Sequence, residues 1–243
     1  MTILTAEKIN KSFGDNHVLK DVSVRLDEGE IVSPLGVSGG GKSTLFNVIS
    51  GLYVPESGTV TLNGEDVTGK PGKISYMLQK DLLLPYKKVI DNVSMPLILK
   101  GEKKKEARKK ADEYFETFGL EGTQHSYPNE LSGGMRQRAA LLRTYLSSSG
   151  VALLDEPFSA LDTITKSKMH EWYLDIMKKI NLSTLFITHD IDEAIMLSDR
   201  IYILAGGRIT NEITVETEKP RPKDFNLTED FLRYKRMIKE MIV

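Results

Sequence analysis

An α/β fold with a mainly parallel sheet is predicted by three features of the sequence. Two apolar runs, Val151-Ala152-Leu153-Leu154-Asp155 and Thr184-Leu185-Phe186-Ile187-Thr188, lack polar alternation, as expected of strands buried on both faces. Each precedes a helical stretch, Lys166 to Ile180 after the first and Ile191 to Leu197 after the second. The third feature is Gly36-Val37-Ser38-Gly39-Gly40-Gly41-Lys42-Ser43-Thr44. This glycine-rich turn joins a strand-like segment, Glu30-Ile31-Val32-Ser33, to an amphipathic one, Leu45-Phe46-Asn47-Val48-Ile49.

That turn fits the phosphate loop G-x-x-x-x-G-K-[ST], in the strand–loop–helix context the motif requires. Its glycines let the backbone turn tightly, so that successive N–H groups point at phosphate oxygens. The N-terminus of the following helix adds partial positive charge. Lys42 supplies a mobile cation for the β- and γ-phosphates, and Ser43 an oxygen for Mg²⁺. Glycine-rich turns between strands and helices are common and many bind nothing. Lys42-Ser43 sets this one apart and predicts a P-loop NTPase core.

Composition narrows the classes. A chain of 243 residues buries a sizeable core. A net charge of −1 with 28% charged residues gives no sign of bulk nucleic-acid binding. The absence of cysteine excludes disulfides, thiolate zinc sites and cysteine nucleophiles. The first eight residues lack the build of a signal peptide, and no apolar run approaches the ~18 residues of a membrane-spanning helix. The expectation is a soluble chain whose membrane role, if any, runs through a partner.

The N-terminal third reads as antiparallel β. Ile3 to Ala6 and Val18 to Leu26 are strand-like, with a hairpin turn at Gly14-Asp15-Asn16, and Gly58 to Gly64 adds a further strand. Phe13, taken alone, reads as core. Pro34 removes a ladder donor, so the strand before the phosphate loop is expected to stop pairing there. Lys73 to Gln79 is a strand running into Leu82-Leu83-Leu84-Pro85-Tyr86, an apolar stretch that suits either a covered surface or a buried loop. Residues 89–147 turn helical. The cationic run Lys100 to Lys110 has Glu102 and Glu106 mixed in and no aromatics, which fits a solvated helix face better than a nucleic-acid patch. That helix is expected to continue through Ala111 to Phe118 and stop at Gly119. Near the end, Arg200 to Ala205 and Arg208 to Val215 form a hairpin around Gly206-Gly207. A polar tail leads to a closing helix, Glu229 to Ile242.

Two further constellations carry chemistry. Leu154-Asp155-Glu156-Pro157 ends a buried strand on adjacent carboxylates. After a phosphate loop, Asp155 is a candidate for the Mg²⁺ shell and Glu156 for the base facing the attacking water. Leu131-Ser132-Gly133-Gly134-Met135-Arg136-Gln137-Arg138 reads as a serine-capped helix start with two glycines, hence a second anion site of backbone N–H groups.

This last segment resembles the signature sequence of the ATP-binding cassette family, and it lies between the phosphate loop and Asp155-Glu156, in that family's order. The resemblance covers residues 1 to about 215 and implies roles for further positions. Phe13 matches the aromatic that stacks on adenine, and Gln79 the glutamine that contacts Mg²⁺ and the attacking water. Ser159-Ala160-Leu161-Asp162 matches a dimer-contact segment, and His189 the histidine that contacts the γ-phosphate. The implied fold adds an N-terminal antiparallel β subdomain and an inserted α-helical subdomain, here about residues 89–147, to form one ATPase domain over residues 1–243. Ser132, Gly133 and Gly134 of one chain would face the γ-phosphate held by Lys42 of another, giving an ATP-dependent homodimer.

Among cassette proteins the sequence is most similar to bacterial importers for nitrate, sulfonate, taurine and pyrimidine precursors. Gln79 to Tyr86, Leu131 to Arg138 and Thr188 to Ala194 carry that likeness, helped by Lys219-Pro220-Arg221-Pro222-Lys223-Asp224-Phe225. It implies an ATPase at the cytoplasmic face of the membrane, acting on a permease that docks near Leu82–Tyr86 and indirectly on a substrate-binding protein. The extra regulatory domain of sugar importers is not expected. Two departures from the group's pattern, Pro34 and Thr144-Tyr145-Leu146-Ser147-Ser148-Ser149, bear on local geometry and touch no chemical group. A soluble cassette ATPase acting on nucleic acid or ribosomes is the alternative; such proteins generally carry two cassettes or a long coiled-coil insertion.

Overall fold

Alternating apolar residues in the first segment fold as the predicted hairpin. In the computed structural model, β1 (Thr2–Phe13) and β2 (Asn16–Asp27) pair antiparallel across a turn at Gly14-Asp15. β3 (Ile31–Leu35) leads into the phosphate loop and α1 (Lys42–Ile49). β4 (Ser57–Leu62) and β5 (Glu65–Asp66) complete a four-stranded sheet in the order β2-β1-β4-β5. Next come β6 (Ser75–Met77) and three helices, α2 (Val89–Leu99), α3 (Lys104–Asp112) and α4 (Gly133–Ser147). The chain continues through β7 (Val151–Asp155), α5 (Thr163–Ile180), β8 (Ser183–Ile187) and α6 (Ile191–Leu197). It ends with β9 (Arg200–Ala205), β10 (Arg208–Thr214) and α7 (Glu229–Ile242). The structure describes every residue except Ser38, Ala160, Glu218, Pro220, Lys223 and Val243, with Thr163 and Ile164 described as backbone only.

The apolar runs do form the centre. Strands β10-β9-β3-β8-β7-β6 make a six-stranded sheet, parallel throughout except for the β9–β10 hairpin. Successive side chains go to opposite faces. Val151 and Leu153 of β7 join one core with α1 and the antiparallel sheet, while Ala152 and Leu154 join another with α2, α4 and α5. Helix α1 is thereby held between the two sheets through Leu45, Phe46, Val48 and Ile49, all essentially inaccessible. A third core joins α6 and α7 to β9 through Ile195, Ile201, Phe231 and Ile238.

Three expectations need correction. The helix after the cationic run ends at Asp112, not Phe118. Residues 113–119 continue as tighter turns, with Phe115 N–H bonded to Asp112 O at 3.0 Å and Gly119 N–H to Glu116 O at 2.9 Å. Three-residue spacing puts Phe115 and Phe118 on one side, where both are buried. Pro34 does not end its strand: it and Leu35 pair with Tyr202 and Ile203 of β9. Pairing with β8 instead lapses after Val32 and resumes as a single bridge, Leu35 to Thr188. A backbone N–H points to one neighbour only, so proline disturbs one side of a central strand. Finally, Leu82–Tyr86 is neither all surface nor all core. Leu83 is buried, Leu82 and Tyr86 are exposed, and Leu84 is pinned at both backbone groups by the Asn92 side chain at 2.6 and 3.1 Å.

The cationic run behaves as a solvated face with local acids. Lys104 and Arg108 share Asp91, and Lys110 pairs with Glu102.

Candidate active site

Strands β3, β8, β7 and β6 lie side by side, and each delivers predicted residues at its carboxyl end. Gly36–Thr44 follows β3, His189 follows β8, Asp155 ends β7 with Glu156 just after it, and Gln79 follows β6. The crevice beyond the carboxyl ends of a parallel sheet is where ligands bind in such folds. Here it is a cleft of 350 Å³ lined by Phe13, Val18, Gly39, Gly41, Lys42, Ser43, Thr44, Glu156, Ile187 and His189.

The loop's glycines have steric reasons. A Cβ on Gly36 would stand 2.1 Å from the Leu204 carbonyl oxygen, so only glycine lets the loop lie against β9. Gly41 has φ +99° at the start of α1, and a Cβ there would meet Leu19 Cδ2 at 3.0 Å. Gly40 N–H donates to Val37 O at 3.2 Å, closing the loop on itself. Ser38 lies outside the described residues.

Lys42 is buried, with 7% exposure, and its Nζ donates to the carbonyls of Gly36 and Val37 at 2.8 and 2.9 Å. Burial lowers its pKa, while Glu156 and Asp155 pull it back up.

Burial also raises the pKa of Asp155, and hydrogen bonds from Tyr76 and Ser43 oppose that shift. Tyr76 Oη donates to Asp155 Oδ2 at 3.2 Å. A desolvated carboxylate beside a hydroxyl gains strongly from a hard cation. Ser43, Asp155 and the Gln79 amide oxygen are oxygen donors of the kind Mg²⁺ takes together with substrate phosphates. Among the described residues no cluster of three or more His, Cys, Asp or Glu forms a self-sufficient metal cage. The Ser43 hydroxyl beside the desolvated Asp155 carboxylate fits Mg²⁺ brought in with a nucleotide.

Glu156 has a polar neighbour at each carboxylate oxygen. Gln79 Nε2 donates to its Oε2 at 2.9 Å, and His189 Nδ1 lies 3.2 Å from its Oε1. Its φ is +47°, a conformation that costs a non-glycine residue energy and that surrounding contacts must maintain. Those contacts include Glu156 N–H to Ile187 O at 3.0 Å and the Ser159 hydroxyl to Glu156 O at 3.0 Å.

Phe13 is 46% exposed rather than core, and its ring lines the cleft. Tyr53 meets it edge-on, with centroids 5.5 Å apart, and Lys11 Nζ lies 5.4 Å from its centroid.

Ser132, Gly133 and Gly134 lie elsewhere and do not line the cleft. The Ser132 hydroxyl accepts the Met135 N–H at 3.3 Å, capping α4 as predicted. Gly134 is buried against Met169 and Thr165 of α5. In the segment 159–162, Asp162 accepts the Thr165 N–H at 3.1 Å; Ala160 is outside the described residues.

One contact to the site was not anticipated from sequence, that of Tyr76. It depends on β6 pairing with β7 in a register that puts Tyr76 opposite Leu153, and nothing local to Tyr76 announces it.

The ABC transporter family profile matches residues 19–159. The formylaminopyrimidine import ATP-binding protein ThiZ of Halalkalibacterium halodurans is 41% identical over 241 residues, covering 99% of this chain and 94% of that protein. The nitrate import ATP-binding protein NrtD of Synechocystis is 39% identical over 232 residues, covering 92% and 87%. Among solved structures, the dimeric bacterial ABC transporter cassette MJ0796 superposes with a TM-score of 0.75 at 30% identity, covering 89% of this chain and 100% of that one. The same cassette is also known in a dimeric post-hydrolysis state bound to ADP and Pi. By its ordered motifs, its fold and these likenesses, the chain belongs to the ABC transporter family.

Proposed function

We propose that this chain hydrolyses MgATP in the cleft beyond β3, β7 and β8 and thereby energises a bacterial importer. One observation carries the reading most: Glu156 accepts a hydrogen bond from Gln79 on one carboxylate oxygen and has His189 Nδ1 3.2 Å from the other, beside a loop shaped for phosphate. With ATP seated on the loop, Lys42 exchanges the carbonyls of Gly36 and Val37 for the β- and γ-phosphates. Phe13 offers its face to adenine. Glu156 takes a proton from water as the water oxygen bonds to the γ-phosphorus. The bond to the bridging oxygen breaks, and its electron pair leaves on ADP. His189 steadies both Glu156 and the γ-phosphate. Ser43, Asp155 and Gln79 would hold Mg²⁺, which when bound neutralises charge on the β- and γ-oxygens.

The same cleft lacks the anion site at Ser132–Gly134, so a second copy is proposed to supply it head to tail. Dimerisation is then conditional on ATP, whose phosphates bridge both anion sites, and hydrolysis removes the bridge. The dimeric state of the cassette at 30% identity supports a dimer. A permease docking near Leu82–Tyr86, where Leu82 and Tyr86 are exposed, would place the chain at the cytoplasmic face of the membrane, with a substrate-binding protein as an indirect partner. No helix among the described residues is long and apolar enough to cross a membrane. The names of the relatives favour small solutes of the nitrate, aliphatic sulfonate or formylaminopyrimidine kind, and nothing in them favours action on nucleic acid.

The test is ATP hydrolysis by the purified chain and by Lys42→Ala. No other Lys or Arg lines the cleft among the described residues, so the variant should lose hydrolysis. Normal turnover by Lys42→Ala contradicts the reading.

A further inference from the structure

The short helix behind His189 is fastened to the helix that follows segment 159–162 by an ionic cluster around one buried carboxylate. Glu193 of α6 has a side chain only 3% exposed. A buried carboxylate is costly unless paired. Its partners both come from α5: His170 Nε2 at 3.0 Å and Lys166 Nζ at 3.6 Å. Lys166 also reaches Asp190 Oδ2 at 3.3 Å. Asp190 follows His189 directly, and its other oxygen caps α6 by accepting the N–H groups of Asp192 and Glu193 at 3.0 and 3.3 Å. The residue that starts α6 is therefore held by helix α6 on one oxygen and by helix α5 on the other.

His170 makes a second connection. Its ring meets that of Phe158 edge-on with centroids 4.9 Å apart, and Phe158, 2% exposed, closely follows Glu156 in the chain. One histidine thus touches both the turn that carries Glu156 and the helix that follows His189. At its N-terminus, just before Lys166, α5 is joined to segment 159–162 through the Asp162 bond to Thr165 N–H.

We infer that Lys166, His170 and Glu193 are positioning residues that make the place of His189 depend on helix α5, and so on whatever engages segment 159–162. This rests on the proposed function, in which that segment meets a second copy and His189 acts on Glu156 and the γ-phosphate. Displacing α5 would then move Asp190 and Glu193, and His189 with them, so that contact with the partner and readiness of the site rise together. Such coupling is established by double-mutant cycles rather than by proximity.

The experiment measures kcat and KM for ATP in Glu193→Gln, Lys166→Met and Lys166→Arg, each alone and combined with His189→Ala. Alone, Glu193→Gln and Lys166→Met should lower kcat about tenfold with KM within about twofold, and Lys166→Arg should recover most of the loss. On the His189→Ala background, Glu193→Gln and Lys166→Met should change kcat by less than about twofold, because they act through the missing side chain. An equal fold-loss on both backgrounds overturns the coupling, as does a Lys166→Arg variant no better than Lys166→Met. Lys166 is partly exposed, so its variants carry the test if Glu193→Gln fails to fold. If His189→Ala alone leaves kcat unchanged, the reading of the active site itself fails; additivity on a slowed His189→Ala enzyme refutes only the coupling.

Discussion

Glu156 and His189 face each other across 3.2 Å, from Oε1 to Nδ1, although they leave different strands of the central sheet. Gln79 Nε2 donates to the opposite carboxylate oxygen at 2.9 Å, so the side chain proposed as the base has a polar neighbour at each oxygen. Its backbone is strained as well, at φ +47°. A base fixed in this way spends no energy on finding its orientation when substrate arrives.

Removing either support should therefore slow chemistry more than binding. His189→Ala and Gln79→Ala are each expected to lower kcat by about 10²-fold, the usual cost of deleting one preorganised polar contact at a reacting centre. The dissociation constant for ATP should stay within about threefold, since the phosphate loop is untouched. Isothermal titration alongside steady-state kinetics separates the two; equal losses in binding and kcat would make these residues part of the binding surface only.

Much of this was legible in the sequence, because the motif-bearing elements are specified by neighbours along the chain. The boundaries of α6 and α7 match their predicted spans, since Asp190 supplies the cap for α6 and apolar spacing supplies the face of α7. What was hidden depends on contacts between distant segments. Phe13 looks like core until β1 and Tyr53 leave its face open to the cleft. Tyr76 acquires a role only through β6–β7 pairing. The run from Ala111 to Phe118 has helical composition, yet its backbone mixes three- and four-residue hydrogen bonds, with Phe115 and Phe118 both buried. Pro34 was judged by the donor it lacks, while the pairing on its other side decided the outcome.

Gly41→Ala tests the loop's backbone. The native φ of +99° lies outside what alanine tolerates comfortably, and its Cβ would press on Leu19 Cδ2 at 3.0 Å and on Val18 O at 3.2 Å. The strain should cost about 1–3 kcal/mol, seen as a Tm lower by several degrees. ATP should also raise the Tm of the variant less than that of the parent. Thermal unfolding with and without ATP checks both, and an unchanged Tm would mean that the loop relaxes freely.

Arg221 tests the tail. It is 6% exposed, and its guanidinium donates to Met196 O at 2.7 Å and Ser198 O at 2.6 Å, tying the tail to the end of α6. Arg221→Ala leaves those carbonyls without their donors, a loss of about 1–3 kcal/mol. Chemical denaturation should show a lower midpoint with an unchanged slope. A midpoint within error of the parent would show that water replaces the guanidinium.

Tyr86→Glu tests permease docking. Tyr86 is 73% exposed and contributes nothing to the cleft, so hydrolysis by the isolated chain should stay within about twofold. Transport by the membrane-assembled complex should fall sharply, because a charge would be buried in an apolar contact. Loss of the isolated chain's hydrolysis would instead make this stretch structural.

The central claim is that ATP joins two copies through a site neither completes alone, and Glu156→Gln tests it most directly. Glutamine keeps the size and hydrogen-bonding shape of Glu156 but does not take water's proton, a loss of about 10²–10⁴-fold in rate. Lys42, Ser43 and Asp155 remain to hold nucleotide. Size-exclusion chromatography with light scattering should then show a stable dimer in saturating ATP with Mg²⁺ and a monomer in ADP. A Glu156→Gln chain that stays monomeric in saturating ATP and Mg²⁺ would contradict the two-copy site built on Ser132 and Gly134.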